Sequence, residues 1–171
     1  MPSLDSPASS PVKLTALVVD DDVAVLQLCQ AVLKQGGFAV LSATGSSEAL
    51  KICKNHSGSV DILVADLVLP PPEFSFASGD NEFPHVHGHD LAVRALQMRK
   101  DLRIVLISGN MDKDLAGYSI RRGRLPFLEK PFEPHTLINL VNQAMQGPPP
   151  TVESLTQTSK GGSKDGDEWF D

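Results

Sequence analysis

Val60 to Pro70 reads VDILVADLVLP, and the rest of the chain is organised around that run. An apolar run rich in β-branched residues fits a strand covered on both faces, the condition of a central strand in a parallel α/β sheet. The run closes on Asp66. Open α/β sheets bind ligands in the crevice beyond the carboxyl ends of their strands, so this carboxylate stands where a site is expected.

Outward from it, short apolar runs alternate with helical periodicity. Leu14–Val19 is a β-prone run that ends in Asp20, Asp21 and Asp22; Val25, Leu28, Cys29, Val32 and Leu33 follow at helical spacing, with Gly36 and Gly37 as the stop. Phe38–Ser42 reads as a second strand, and Ala49, Leu50 and Cys53 mark a second helix entered through Ser46 or Ser47 as N-cap. Beyond the third strand, Leu91, Ala95 and Met98 mark a third helix, and Ile104–Ile107 a fourth strand ending at Ser108. Asn110–Gly123 is the weakest helix, because Gly117 in its middle costs about 1 kcal/mol against alanine. Phe127–Glu129 is a short fifth strand leading into Lys130. The last helix is the clearest, with Leu137, Leu140, Val141, Ala144 and Met145 on one face behind Pro134, and Gly147 with Pro148–Pro150 as the stop.

The expected fold is α/β: a flavodoxin-like, doubly wound, five-stranded parallel sheet of order 2-1-3-4-5 between layers of helices, five in all, as a three-layer sandwich. The expected domain covers residues 12–146. Met1–Pro11 and residues 147–171 read as a disordered arm and a disordered Pro/Ser/Gly-rich acidic tail, the latter broken only by Trp169 and Phe170. Residues 71–87 carry no helical or strand period and form an insert of unusual length. At its end and just beyond, His85, His87 and His89 alternate, a pattern that fits either a solvated loop or a transition-metal site.

Composition excludes several functions. A net charge of −6, with only Arg121, Arg122 and Arg124 bunched, leaves no basic face for nucleic acid. No apolar run approaches the roughly 18 residues of a membrane span, and Met1–Pro11 holds no hydrophobic signal segment, so the expected location is cytoplasmic with no membrane partner. Cys29 and Cys53, at apolar helix positions, read as core thiols of a reducing compartment.

The chemistry gathers at strand ends: Asp20 and Asp21 after the first, Asp66 after the third, Ser108 after the fourth, Lys130 after the fifth. Three carboxylates in one crevice raise one another's pKa unless a cation intervenes, and an all-oxygen set suits Mg²⁺. An aspartate beside such an ion can act as a nucleophile toward phosphorus, with the Lys130 ammonium and Ser108 hydroxyl placed to neutralise phosphoryl oxygens.

On LVVDDD (Leu17–Asp22), LVADLVLP (Leu63–Pro70), VLISGN (Val105–Asn110) and EKPF (Glu129–Phe132), the chain resembles the receiver domain of two-component response regulators. The resemblance implies Asp20 and Asp21 as the acidic pair for Mg²⁺, Asp66 as phosphoacceptor and the Val68 backbone carbonyl as a further metal ligand. It also implies Ser108 as the switch hydroxyl, Lys130 as the phosphate-binding lysine and Phe127 as the aromatic that moves with the switch. Lys130-Pro131 becomes a candidate cis peptide, and Gly88 matches the glycine that opens the third helix. The implied function is a phosphorelay switch without an attached output domain, phosphorylated by a histidine kinase or histidine phosphotransfer protein. It would be read by a partner on the face of the fourth helix, fifth strand and fifth helix; it is not an enzyme, although it assists its own phosphorylation and dephosphorylation. Two rivals stand beside it. Asp20 and Asp22 form a D-x-D as in Mg²⁺-dependent haloacid-dehalogenase-type phosphatases, although Ala24 stands where that family wants Thr or Val. A receiver-like binding module that is never phosphorylated is the other.

Overall fold

Alternate residues of a strand face opposite sides of its sheet, and every residue of β1 (Thr15–Val19) and β3 (Ile62–Asp66) is buried. These two strands therefore need cover on both faces. The computed structural model, which describes residues 12–71, 83–117 and 125–156, supplies it. The remaining elements are α1 (Val23–Gln35), β2 (Ala39–Ala43), α2 (Ser46–Asn55), α3 (Gly88–Met98), β4 (Arg103–Ser108), α4 (Met111–Gly117), β5 (Phe127–Glu129), α5 (Pro134–Gln146) and α6 (Val152–Thr156). All strand pairs are parallel, in the order β2-β1-β3-β4-β5. The less buried strands, β2 and β5, are its edges.

The sheet divides the core in two. Ala16, Val18, Ile62, Val64, Val105 and Ile107 face α1 and α5, where they meet Cys29, Leu33, Leu137 and Val141. Leu17, Val19, Leu63, Ala65, Ile104 and Leu106 face α2 and α3, where they meet Leu50, Cys53, Leu91 and Ala95. The result is the expected three-layer arrangement. Asp22 caps α1, its carboxylate accepting from the backbone N–H of Ala24 at 2.9 Å and Val25 at 3.4 Å. Gly37, at φ 92, supplies the left-handed turn into β2. Among the described residues no helix is long and apolar enough to cross a membrane.

Three expectations need correction. The described residues hold six helices rather than five, because the chain after Gln146 does not pass directly into a tail. Val152 and Leu155, three apart on α6, turn onto α3, and Leu155 joins the core at 5% exposure. Arg103 secures the approach, its Nη2 donating to the Gly147 carbonyl at 3.2 Å. Neither Ser46 nor Ser47 caps α2; Gly45 holds the N-cap position, and both serines bond to residues of the insert instead. The expected arm 1–11, the tail beyond 156 with Trp169 and Phe170, residues 72–82 of the insert and residues 118–124 lie outside the described residues.

Gly88 is fixed by close approach. Its N–H donates to the Leu67 carbonyl at 3.0 Å, and a Cβ there would collide with the Asp66 carbonyl oxygen and lie 2.9 Å from the Leu67 Cα. Both obstacles are backbone that cannot rotate away. Gly88→Ala should therefore destabilise the protein by about 3 kcal/mol, at the upper end for overpacking. Gly147→Ala, which meets nothing nearer than 3.9 Å, should stay within about 0.5 kcal/mol. Urea unfolding of the two variants checks this.

Burial pushes the Cys29 thiol up to about 12, with the Asp20 carboxylate adding to the effect and Lys130 opposing it. The folded chain then keeps a proton that the unfolded chain releases near 9.0. The stability linked to this proton is complete below the unfolded value and is lost as pH rises toward the folded one, by up to about 1.4 kcal/mol per pH unit. Cys29→Ala should flatten the alkaline limb of a stability-against-pH curve measured by urea unfolding, leaving the slope near neutrality unchanged.

Candidate functional site

Register brings the polar strand ends together. Val19 pairs with Ala65, so Asp20 and Asp66, one residue further on, stand side by side at the carboxyl edge of the sheet. Asp66 pairs with Ile107, which puts Ser108 next along that edge, and the Lys130 N–H donates to the Ser108 carbonyl at 2.8 Å. The Lys130-Pro131 peptide is cis. Lys130 reaches back across β4, placing its Nζ 2.7 Å from Asp66 Oδ2 and 2.9 Å from Asp20 Oδ2.

Each carboxylate has one oxygen held by the backbone and one turned into the crevice. Asp20 Oδ1 accepts from the Asp22 N–H at 2.8 Å, and Asp66 Oδ1 from the Val68 N–H at 2.9 Å. Asp20 is fully buried and Asp66 nearly so, whereas Asp21 is exposed. Burial raises the pKa of Asp20; the nearby Lys130 ammonium and the Asp22 N–H bond pull the other way, and the neighbouring Asp66 charge adds to the rise. Lys130 shows the complementary balance. Burial favours its neutral form, but the bonds and charges of Asp66 and Asp20 outweigh burial and raise its pKa.

The acidic corner fits a hard divalent cation. Asp20, Asp21 and Asp66 each present a ligand atom within 4.8 Å of the others. Asp20 Oδ2 is buried and receives no well-directed hydrogen bond, so its contact with Lys130 is ionic. A buried oxygen left in that condition is suited to a metal of the Mg²⁺ class, which takes oxygen ligands. Val68, two residues past Asp66, lies exposed at the rim. Asp22 is engaged in capping α1 and stands outside this group of three, which removes the second carboxylate of the D-x-D reading.

Ser108 is completely buried. Its hydroxyl donates to Asp114 Oδ2 on α4 at 2.6 Å and accepts from the Asn110 N–H at 3.1 Å. The sequence reading missed Asp114, which sits on the helix with the thinnest apolar stripe; its spacing six residues beyond Ser108 carries no local signal. Phe127 pairs with Leu106, is half-buried, and packs on the α2–α3 side of the sheet, the side that Ser108 shares by strand alternation.

The returning arm of the insert is fastened beside the site. Ser47 Oγ donates to the Phe83 carbonyl at 2.6 Å, the Val86 N–H donates to Ser46 Oγ at 2.9 Å, and the Leu69 N–H donates to His87 Nδ1 at 3.1 Å. His85 and His87 meet edge to face at 5.2 Å between ring centres. The three histidines do not converge: among the described residues, only Asp20, Asp21 and Asp66 form a group of three potential metal ligands. A cavity of about 520 Å³, lined by Asp21, Thr44, Glu48, Pro70, Pro71 and His85 among others, opens next to the acidic corner.

No protein-family model matches the chain. It is 24% identical over 129 residues to the response regulator SaeR of Staphylococcus epidermidis, covering 75% of this chain and 49% of the relative. The chain thus spans about half the length of the curated relatives it matches. Among solved structures it is similar to a response regulator receiver protein from Sinorhizobium medicae, at 25% identity and a TM-score of 0.64, over 81% of this chain and 98% of that one. It is also similar to the receiver domain of the hybrid histidine kinase CckA, at 27% identity and a TM-score of 0.57, over 77% and 99%.

A cation bound at the acidic corner should stabilise the fold by mass action, by about 2.7 kcal/mol at a hundredfold excess over Kd. Mg²⁺ should accordingly raise the melting temperature and a chelator should reverse the rise. Asp21→Ala should blunt the response while changing metal-free stability by less than about 0.5 kcal/mol, since that side chain is exposed. Calorimetric melting with and without Mg²⁺ reads both.

Proposed function

We propose that this chain, a receiver domain of the two-component response-regulator type by its relatives and its fold, is a phosphorylation-controlled switch that accepts a phosphoryl group on Asp66. The observation that carries this reading is the Lys130 ammonium held between Asp66 and Asp20 at the mouth of the sheet, with Asp21 completing the acidic corner.

The donor is a phosphohistidine on a histidine kinase or a histidine phosphotransfer protein. A carboxylate oxygen of Asp66 attacks phosphorus; the new P–O bond forms as the P–N bond breaks, and the bonding pair stays on the donor imidazole. Mg²⁺ held by Asp20, Asp21, Asp66 and the Val68 carbonyl would offset charge on the phosphoryl oxygens. Lys130 already lies 2.7 Å from an Asp66 oxygen, so a short shift lets it pair with the phosphoryl group, as positioning and charge neutralisation require. Ser108 then donates its proton to a phosphoryl oxygen, Phe127 turns inward, and the face built from α4, β5 and α5 changes shape for a protein partner. The activity is a group transfer onto the protein itself and its later hydrolysis, with no nucleic-acid or membrane partner, in the cytoplasm.

Incubation with acetyl phosphate and Mg²⁺ should add the mass of one phosphoryl group to the intact chain. Asp66→Asn or a chelator should abolish the addition, and Lys130→Ala should slow it by roughly a hundredfold, as for loss of one charge-stabilising donor. Equal labelling of the Asp66→Asn variant would sink the assignment.

A further inference from the structure

We infer that Asp114 is a positioning residue that holds Ser108 in its resting orientation and thereby sets how readily the switch turns on; this rests on the reading of Asp66 as phosphoacceptor. A serine hydroxyl has one proton to donate. In this structure that proton is directed at Asp114 Oδ2, 2.6 Å away, the short distance of a bond to an ionised acceptor. The Ser108 oxygen is occupied as well, by the Asn110 N–H at 3.1 Å. Because Ser108 is fully buried, water cannot take over either role while the side chain stays in place. Donation to a phosphoryl oxygen on Asp66 therefore requires the bond to Asp114 to break.

The geometry makes this bond a coupling between the site and α4. The Asp114 N–H donates to the Asn110 carbonyl at 2.9 Å, and the Lys113 N–H to Asn110 Oδ1 at 3.3 Å, so the first turn of α4 is tied to the corner that follows Ser108. Among the described residues the Ser108 hydroxyl is the one side-chain partner of the Asp114 carboxylate. Phosphoryl at Asp66 and carboxylate at Asp114 are two anions competing for one donor, and the loser on switching is a residue of the helix that must move. The Ser108–Asp114 bond thus favours the resting state, and an effector that needs Ser108 released binds with its intrinsic affinity multiplied by the fraction of molecules already released.

Beryllofluoride with Mg²⁺, a phosphoryl mimic that needs no covalent chemistry, is the probe, and its apparent affinity is followed by amide chemical shifts. Asp114→Ala should bind about tenfold more tightly than wild type, the lower end for a hydrogen bond to a charged group. Asp114→Asn should fall between them, because its amide oxygen still accepts from Ser108 without the charge. In a Ser108→Ala background the Asp114→Ala change should alter affinity by nothing measurable. Equal affinity of wild type and Asp114→Ala overturns the inference. So does the same gain with Ser108 absent, which would mark a general loosening of α4. Failure of the wild type to bind beryllofluoride at all would instead refute the phosphoacceptor reading, and this inference with it.

Discussion

The Lys130 ammonium between Asp66 and Asp20 is the contact on which the rest of the site depends. Two carboxylates end neighbouring central strands, both in nearly complete burial, and such groups repel and resist ionisation unless charge is returned to them. Lys130 returns it from the far side of β4, at 2.7 and 2.9 Å. The balance is incomplete by design of the geometry: three acidic side chains face one lysine, and Asp20 Oδ2 has no directed donor. That deficit is what makes the corner fit a hard divalent cation.

Every other part of the site is positioned relative to that corner by the parallel register. Residues one step beyond Val19, Ala65 and Ile107 become Asp20, Asp66 and Ser108, so consecutive strand ends deliver two carboxylates and a hydroxyl in spatial order. The long insert is accommodated without disturbing this order because its exit and its return are pinned close together. Gly88 packs directly on the Asp66–Leu67 backbone, and Ser46, Ser47 and His87 hold the arm that leads into it. Lengthening a loop whose ends are already fixed adds little closure entropy, so a long insert leaves Asp66 in place.

The site joins a deeply buried sheet to the first turn of a helix. β3 and β4 are buried along almost their whole length, and the first turn of α4 is tied to the end of β4 through Asn110 and Ser108. The sheet holds Asp20, Asp66 and Ser108 in fixed relation, and the hydrogen bond from Ser108 to Asp114 carries that order out to α4.

The order of strands and helices was legible from local periodicity, because an apolar run such as Ile62–Ala65 and a spaced stripe such as Leu137–Met145 each report their own burial. Asp20, Asp66, Ser108 and Lys130 were legible for a related reason: each follows an apolar run directly, and parallel strands must end at one edge. Other features depended on partners distant in the chain. Ser46 and Ser47 have the residue type of N-caps, yet the insert, some forty positions away, takes their hydroxyls. Val152 and Leu155 are too few to announce a helix, and only the open flank of α3 makes one worth forming. Asp20, Asp21 and Asp22 are chemically identical in sequence; the turn into α1 makes one buried, one exposed at the acidic corner and one a cap. Chain chemistry thus determined which groups were present and at which edge, whereas the pairing of Ser108 with Asp114 was decided only by packing, since a hydrogen bond selects whichever acceptor the tertiary fold brings within reach.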